Sequence, residues 1–266
     1  MSKQTGLIKL QGSIGGIAFY KSGGIDLARI ARGPSKDRIA TDAAFARTRE
    51  NNKEFGGAAS AAKALRLGFA TTVQTMADSR FSARLTALFK EIVNRDVTGI
   101  RGQRSVLLSQ YGNTLVGTEF DNGLSFSSVF NAPYTIAHAA DRREATLTIP
   151  DFVPASFVRA PGGATHFTVI HALGVVSDYR FNTDTQSYEP VVPEANAIGV
   201  IHAGDIIALN STAVGNQINH ANLAPTLGLT ADTSVVQCVG IEFYQRIGGV
   251  DYVLAQGNAM RIVAVF

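Results

Sequence analysis

The sequence predicts an α+β protein: an N-terminal β-meander and helices, followed by an antiparallel β-sandwich-like domain. Three observations carry this. Glycine pairs punctuate short apolar runs within residues 7–32. An Ala-rich, then amphipathic, helical pattern follows through Ile92. Beyond Leu115, runs of Val, Ile, Thr, Phe and Tyr alternate with clusters of Gly, Pro, Asn and Asp.

Taking the elements in order, residues 7–11, 17–21 and 25–31 read as strands separated by Gly-rich turns, because Gly supplies the positive φ of tight hairpins. Ile25, Leu27 and Arg29 fall on one face, and Asp26, Ala28 and Ile30 on the other. A sheet this small needs a partner layer or another chain. Residues 33–37 break the pattern. Thr41 or Asp42 is placed to cap a helix running to Phe55, whose polar face holds Arg47, Arg49, Glu50, Lys53 and Glu54. Gly56 and Gly57 are expected to break or bend it. A second helix spans 58–76, with Leu65, Phe69 and Val73 four apart. Asp78 caps a third, whose stripe is Phe81, Leu85, Leu88, Phe89 and Ile92.

Residues 98–104 read as a loop, and 105–110 as a short helix or strand. Strands are expected at 124–130, 145–149, 166–173, 179–181, 197–202, 206–210, 235–246, 250–255 and 261–266. Gly248 and Gly249, between two apolar runs, form the strongest hairpin signal in the chain. Spacing this short fits an antiparallel sandwich or barrel.

Charge divides along the same line. Residues 1–110 hold 7 Lys and 11 Arg against 8 acids, a net +10; residues 111–266 hold 6 Arg against 13 acids, a net −7. Two domains are therefore expected: a basic hairpin-and-helix region, 1–110, and an acidic all-β domain, 111–266. An apolar fraction of 45% with 17% charged residues excludes a disordered chain. The single cysteine, Cys238, cannot form an intrachain disulfide and sits in an apolar run. The N-terminus shows no apolar signal core, and no run reaches the ~18 apolar residues of a membrane span. Together these point to a cytoplasmic protein with no membrane partner.

No nucleophile elbow, Walker loop, HExxH, CxxC or dinucleotide glycine fingerprint occurs. The chain is read as a non-enzyme without catalytic residues, metal or cofactor. His138, His166, His171, His202 and His220 stand at no metal-ligand spacing; His166 and His171 fall on opposite faces of one strand, and Asp178 or Asp205 would have to complete any ligand set.

The runs IKLQGSIGGIAFYKSGG at 8–24 and FARTRENNKEFG at 45–56, with Ala28, Arg29 and RGQR at 101–104, resemble a group of uncharacterised proteins from Bacteroidota. The likeness covers the first 105 residues or so. It implies a bacterial, non-secreted origin and supplies no site residues.

The reading these features support is a structural protein that self-assembles head-to-tail into a filament, tube or shell-like array. Unlike patches on one subunit propagate unless a ring closes. Arg29, Arg32, Arg47, Arg49 and Lys53 are the candidate interface residues, since Arg favours protein contacts. One alternative is a ligand- or carbohydrate-binding module using Tyr134, Tyr179, Tyr188, Tyr244 and Tyr252 as a platform. Another is a nucleic-acid-associated or phage-derived structural protein. Nucleic acid is the less favoured partner because acids are interspersed among the cations.

Overall fold

The computed structural model of the chain describes residues 1–31 and 33–266. It is an α+β protein that divides into two compact units, Met1–Arg49 and Glu50–Phe266. The boundary expected at residue 110 is therefore not one between compact units. The helices after Glu50 carry apolar stripes that need cover, and they share one core with the sheet that follows: Leu65, Leu85 and Phe89 pack in the same cluster as Ile170, Cys238 and Ile262.

In the first unit, β1 (Ser2–Lys3), β2 (Gly12–Ile14), β3 (Ile17–Ser22) and β4 (Ile25–Ile30) form an antiparallel sheet of order β1-β4-β3-β2. Its two tight turns use Gly15 and Gly16 (φ +56° and +78°) and Gly23 and Gly24 (φ +56° and +79°). Positive φ at both central residues is the type I′ requirement. The segment 7–11, expected as a strand, is irregular, and β2 starts after it at Gly12. After the sheet, Ser35 caps α1 (Lys36–Thr41), its Oγ accepting from the Arg38 amide. Asp42 caps the 3-10 turn Ala43–Phe45 rather than the long helix.

That long helix, α2 (Ala46–Gly68), passes through Gly56 and Gly57 unbroken. Gly57 is there for space: a Cβ would stand 2.6 Å from the Tyr188 ring. The helix stops at Gly68 instead, and α3 (Ala70–Met76) begins after Phe69. Here a Cβ on Gly199 would overlap the Gly68 carbonyl, and one on Gly174 would stand 2.6 Å from the Phe69 ring. Close backbone approach, not local propensity, sets this break. Then α4 (Phe81–Arg95) buries Phe81, Leu85, Phe89 and Ile92, the expected stripe, and α5 (Leu108–Tyr111) follows the 96–105 loop. Among the described residues, no helix is long and apolar enough to cross a membrane.

The expected strand at 124–130 is the short helix α6 (Phe126–Val129), capped by Ser125. Its apolar run is buried, as a strand's would be, but the serine hydroxyl accepts from the Ser128 amide and starts a turn. The β region then lays down β5 (Thr135–His138), β6 (Glu144–Ile149), the short helix α7 (Pro154–Phe157), β7 (His166–Ser177), the ribbon β8 (Tyr179–Asn182) and β9 (Ser187–Pro190), β10 (Ile198–Ala203), β11 (Ile207–Ala208), β12 (Gln217–Asn222), β13 (Thr233–Ile247), β14 (Val250–Val253) and β15 (Ala259–Val265). The strand expected at 206–210 shrinks to two residues, while β1, β5, β9 and β12 are strands that the pattern missed.

Strands β10, β7, β13 and β14 form the main sheet, with β11 on β7 and β15 on β13; β12, β6 and β5 form a second. Long β7 and β13 pair across their whole shared length, from Ser177↔Thr233 to His166↔Tyr244. Alternation sends Ile170, Ala172, Val236 and Cys238 to the helices. It sends Val169, Val239, Ile241 and Phe243 to the side that meets Leu147 and Ile149 of the second sheet. Both faces of the main sheet are covered, giving helices, sheet and sheet in layers.

Candidate interaction surface

The sheet of the first unit is two-faced, and register defines each face. Ile14 lies opposite Ile17, and Ile17 opposite Ile30, so three isoleucines form a row across β2, β3 and β4. Phe19 and Ala28 pair next to them on the same face. The isoleucines are 62%, 41% and 62% exposed. The other face carries Tyr20, Leu27 and Arg29, with the Arg29 guanidinium 5.5 Å from the Tyr20 ring centre. No described residue of 1–49 is buried. Fully burying an isoleucine is worth ~1.5–3 kcal/mol, so the row is a sizeable unspent apolar surface.

The five candidate interface residues do not form one patch. Arg29 stands on the face opposite the isoleucines. Arg32 lies outside the described residues. Arg47 is on the exposed side of the first turn of α2. Arg49 turns inward, its Nη1 donating to the carbonyls of Ile39 and Asp42, both at 2.8 Å. Lys53 belongs to the second unit, where its Nζ donates to Gln186 Oε1 at 3.0 Å and lies 4.8 Å from the Phe181 ring centre.

A polar cluster missed by the sequence reading lies in the second unit. Glu54, placed on the polar face of its helix by its spacing, is 1% exposed. Its carboxylate takes a bidentate pair from Arg104 (Nε and Nη2, both 2.7 Å), a third bond from Lys90 Nζ and a fourth from the Gly102 amide, each at 2.7 Å. Burial pushes its carboxyl up, but the bonds from Arg104, Lys90 and Gly102 win and hold it down at about 2. Neighbouring Asp96 gathers the amides of Thr98, Gly99 and Ser105. Tyr188 closes the loop with a 2.8 Å bond to the Arg104 carbonyl. A carboxylate saturated by two cations and an amide has no proton to exchange near neutrality, so this is a clasp, not an acid–base site. It joins FARTRENNKEFG to RGQR, two of the runs that carry the resemblance.

Three of the histidines, His171, His220 and His138, are also engaged by neighbours. His171 is buried between the sheets, with Nδ1 3.0 Å from the Asn219 carbonyl and Nε2 2.9 Å from the Gln237 amide. The carbonyl can only accept, so Nδ1 carries the proton and Nε2 accepts from Gln237. Burial lowers its pKa to about 4, and the neighbouring His202 and His220 add to the depression. His220 bonds Glu144 at 2.9 Å, and His138 stacks on Phe266. Among the described residues, no three His, Cys, Asp or Glu side chains are placed to hold a metal. Asp178 instead takes the amide and hydroxyl of Ser109. Cys238 is fully buried, and burial pushes its thiol well up, away from the reactive thiolate.

The tyrosines do not make a platform. Tyr179 is buried, Tyr188 covers Gly57, Tyr134 lies edge-on to Phe126, and Tyr244 bonds Glu242; Tyr252 alone of the five is exposed. An open groove of about 800 Å³ runs between 139–144 and 222–225. Its Arg143 already donates through Nε and Nη2 to the Leu227 carbonyl. Several cations of the helices and the 96–105 loop are similarly engaged: Arg84 with Asp78, Arg95 with Glu91, Arg101 with Glu50, and Lys90 and Arg104 with Glu54.

Neither the known family models nor the curated proteins contain a match to this chain.

Proposed function

We propose that this protein is a structural subunit that assembles head-to-tail with copies of itself, and that its first unit is the assembling element. The observation that carries this reading is the uncovered isoleucine row on a sheet without a single buried described residue. A sheet with an apolar face is stabilised in water by burying that face against another layer. Charge supports a second copy as the cover. The first unit has nine Lys and Arg against three acids, net +6, and the second has fifteen against eighteen, net −3. Unlike units attract head-to-tail and discourage pairing of two first units.

The ion pairs of the second unit weigh against a phosphate-binding role, because cations already held by carboxylates release fewer counterions from nucleic acid. The unpaired, buried Cys238 supports a cytoplasmic setting. Negative-stain microscopy and sedimentation of the full chain, at low salt and high concentration, test the reading. Extended or ring-shaped assemblies support it; monomers at every concentration sink it.

A further inference from the structure

The second unit carries one compact group of exposed apolar side chains that matches the isoleucine row. Among the described residues, β14 pairs only with β13, closing a hairpin through Gly248 and Gly249. Register puts Ile247 opposite Val250, and Tyr252 opposite Gln245, so Ile247, Val250 and Tyr252 share a face. They are 57%, 53% and 54% exposed. Arg246 and Asp251 form a bidentate pair on the opposite face, which leaves the apolar face uncharged. Other exposed large apolar residues of this unit, such as Phe55, Leu67, Val116 and Ile218, occur one or two to an element. Scattered ones are ordinary on a surface; a grouped face is not.

Resting on the assembly reading above, we infer that the apolar face of the β13–β14 hairpin of one copy seats on the Ile14–Ile17–Ile30 face of the next. Both surfaces are β-ribbons with side chains standing to one side, the geometry in which two β layers pack about 10 Å apart. Each is exposed in its own unit, and the units carry net +6 and −3, so the contact is heterologous and leaves a free hairpin and a free sheet at the two ends. Repetition of that contact produces a chain of subunits.

Variants of the full-length protein with one added cysteine test this. Ile17→Cys and Val250→Cys are each purified, mixed and oxidised, then run on a non-reducing gel. The native Cys238 is fully buried and serves as the silent background. The expected result is a covalent dimer in the mixture and none from either variant alone. Should either variant fail to fold, Ile30→Cys with Tyr252→Cys replaces the pair. A dimer from Ile17→Cys alone overturns the hairpin contact in favour of sheet-to-sheet pairing, while the assembly reading stands. No cross-link from either pair, with the wild type still assembling in sedimentation, overturns the hairpin contact alone. A wild type that stays monomeric overturns the assembly reading, and the contact with it.

Discussion

Residues 1–49 and residues 50–266 are built with the same hairpin grammar and reach opposite ends of the burial scale. Gly15 and Gly16, Gly23 and Gly24, and Gly248 and Gly249 all turn with φ near +57° and then near +80°. Yet the first unit buries none of its described residues, while β7 and β13 of the second are buried along most of their length. The difference is the number of layers. Helices cover one side of the main sheet and a second sheet covers the other, so alternation places apolar groups in cores on both sides. A lone sheet has the alternation but nothing to bury it against. Electrostatics follow the same division: Glu54 and its two cations are packed inside the second unit, whereas in the first an exposed Arg29 lies over the half-buried Tyr20 ring.

Substitutions in the second unit are expected to cost stability, and those in the first to cost assembly. The largest loss belongs to Glu54→Ala. It strands Arg104, Lys90 and the Gly102 amide, and unpairing a buried ion costs ~3–5 kcal/mol. Urea unfolding of the full chain should show a loss of unfolding free energy of that size; a loss below ~1 kcal/mol would mean that the clasp is not a stabilising element.

The next effect is a pH dependence. His171 has a folded pKa of about 4 against an ordinary value of 6.5, so the unfolded chain binds the proton first. Stability from this group is complete above about 6.5 and falls as pH drops toward about 4, by ~3 kcal/mol in total. Glu54, held at about 2 against 4.5, adds a separate loss that starts below 4.5. Unfolding curves at pH 7, 5.5 and 4.5 should fall in the first window, and His171→Gln should flatten that slope while leaving the lower one. An unchanged slope in the variant would remove His171 as its source.

Smaller still is Gly199→Ala, whose methyl must push against the Gly68 carbonyl at ~1–3 kcal/mol. The smallest stability change is expected for Ile30→Ser, within ~0.5 kcal/mol because the side chain is exposed. It should nevertheless reduce assembled mass in sedimentation, as should ~1 M salt, where the screening length falls to ~3 Å. An Ile30→Ser protein that is strongly destabilised would show that the isoleucine row is covered in the isolated subunit, and would dissolve the contrast between the units.

Much of this was legible from local pattern. Gly–Gly turns, the alternation of β3 and β4, and the stripe of α4 follow from φ preferences and side-chain periodicity within a dozen residues. The candidate interface was less legible. Cationic residues from 29 to 53 marked a basic segment, but Arg49 turned out to serve its own backbone, and the apolar row opposite Arg29 emerged from the strand register. A turn-capping serine disguised α6 as a strand, because a short buried apolar run has no period of its own.

By itself, the sequence determined the fold class, the hairpins and the excess of positive charge toward the N-terminus, since each depends on neighbours along the chain. The tertiary structure alone decided that α2 runs through Gly56 and Gly57 to stop at Gly68, that Glu54 is buried, that the units divide after Arg49, and that one isoleucine face stays uncovered. The physical reason is distance in sequence. Arg104 reaches Glu54 across 50 residues, and Gly199 meets Gly68 across more than twice that span. Contacts so far apart set which side chains lose water, and no local pattern records them.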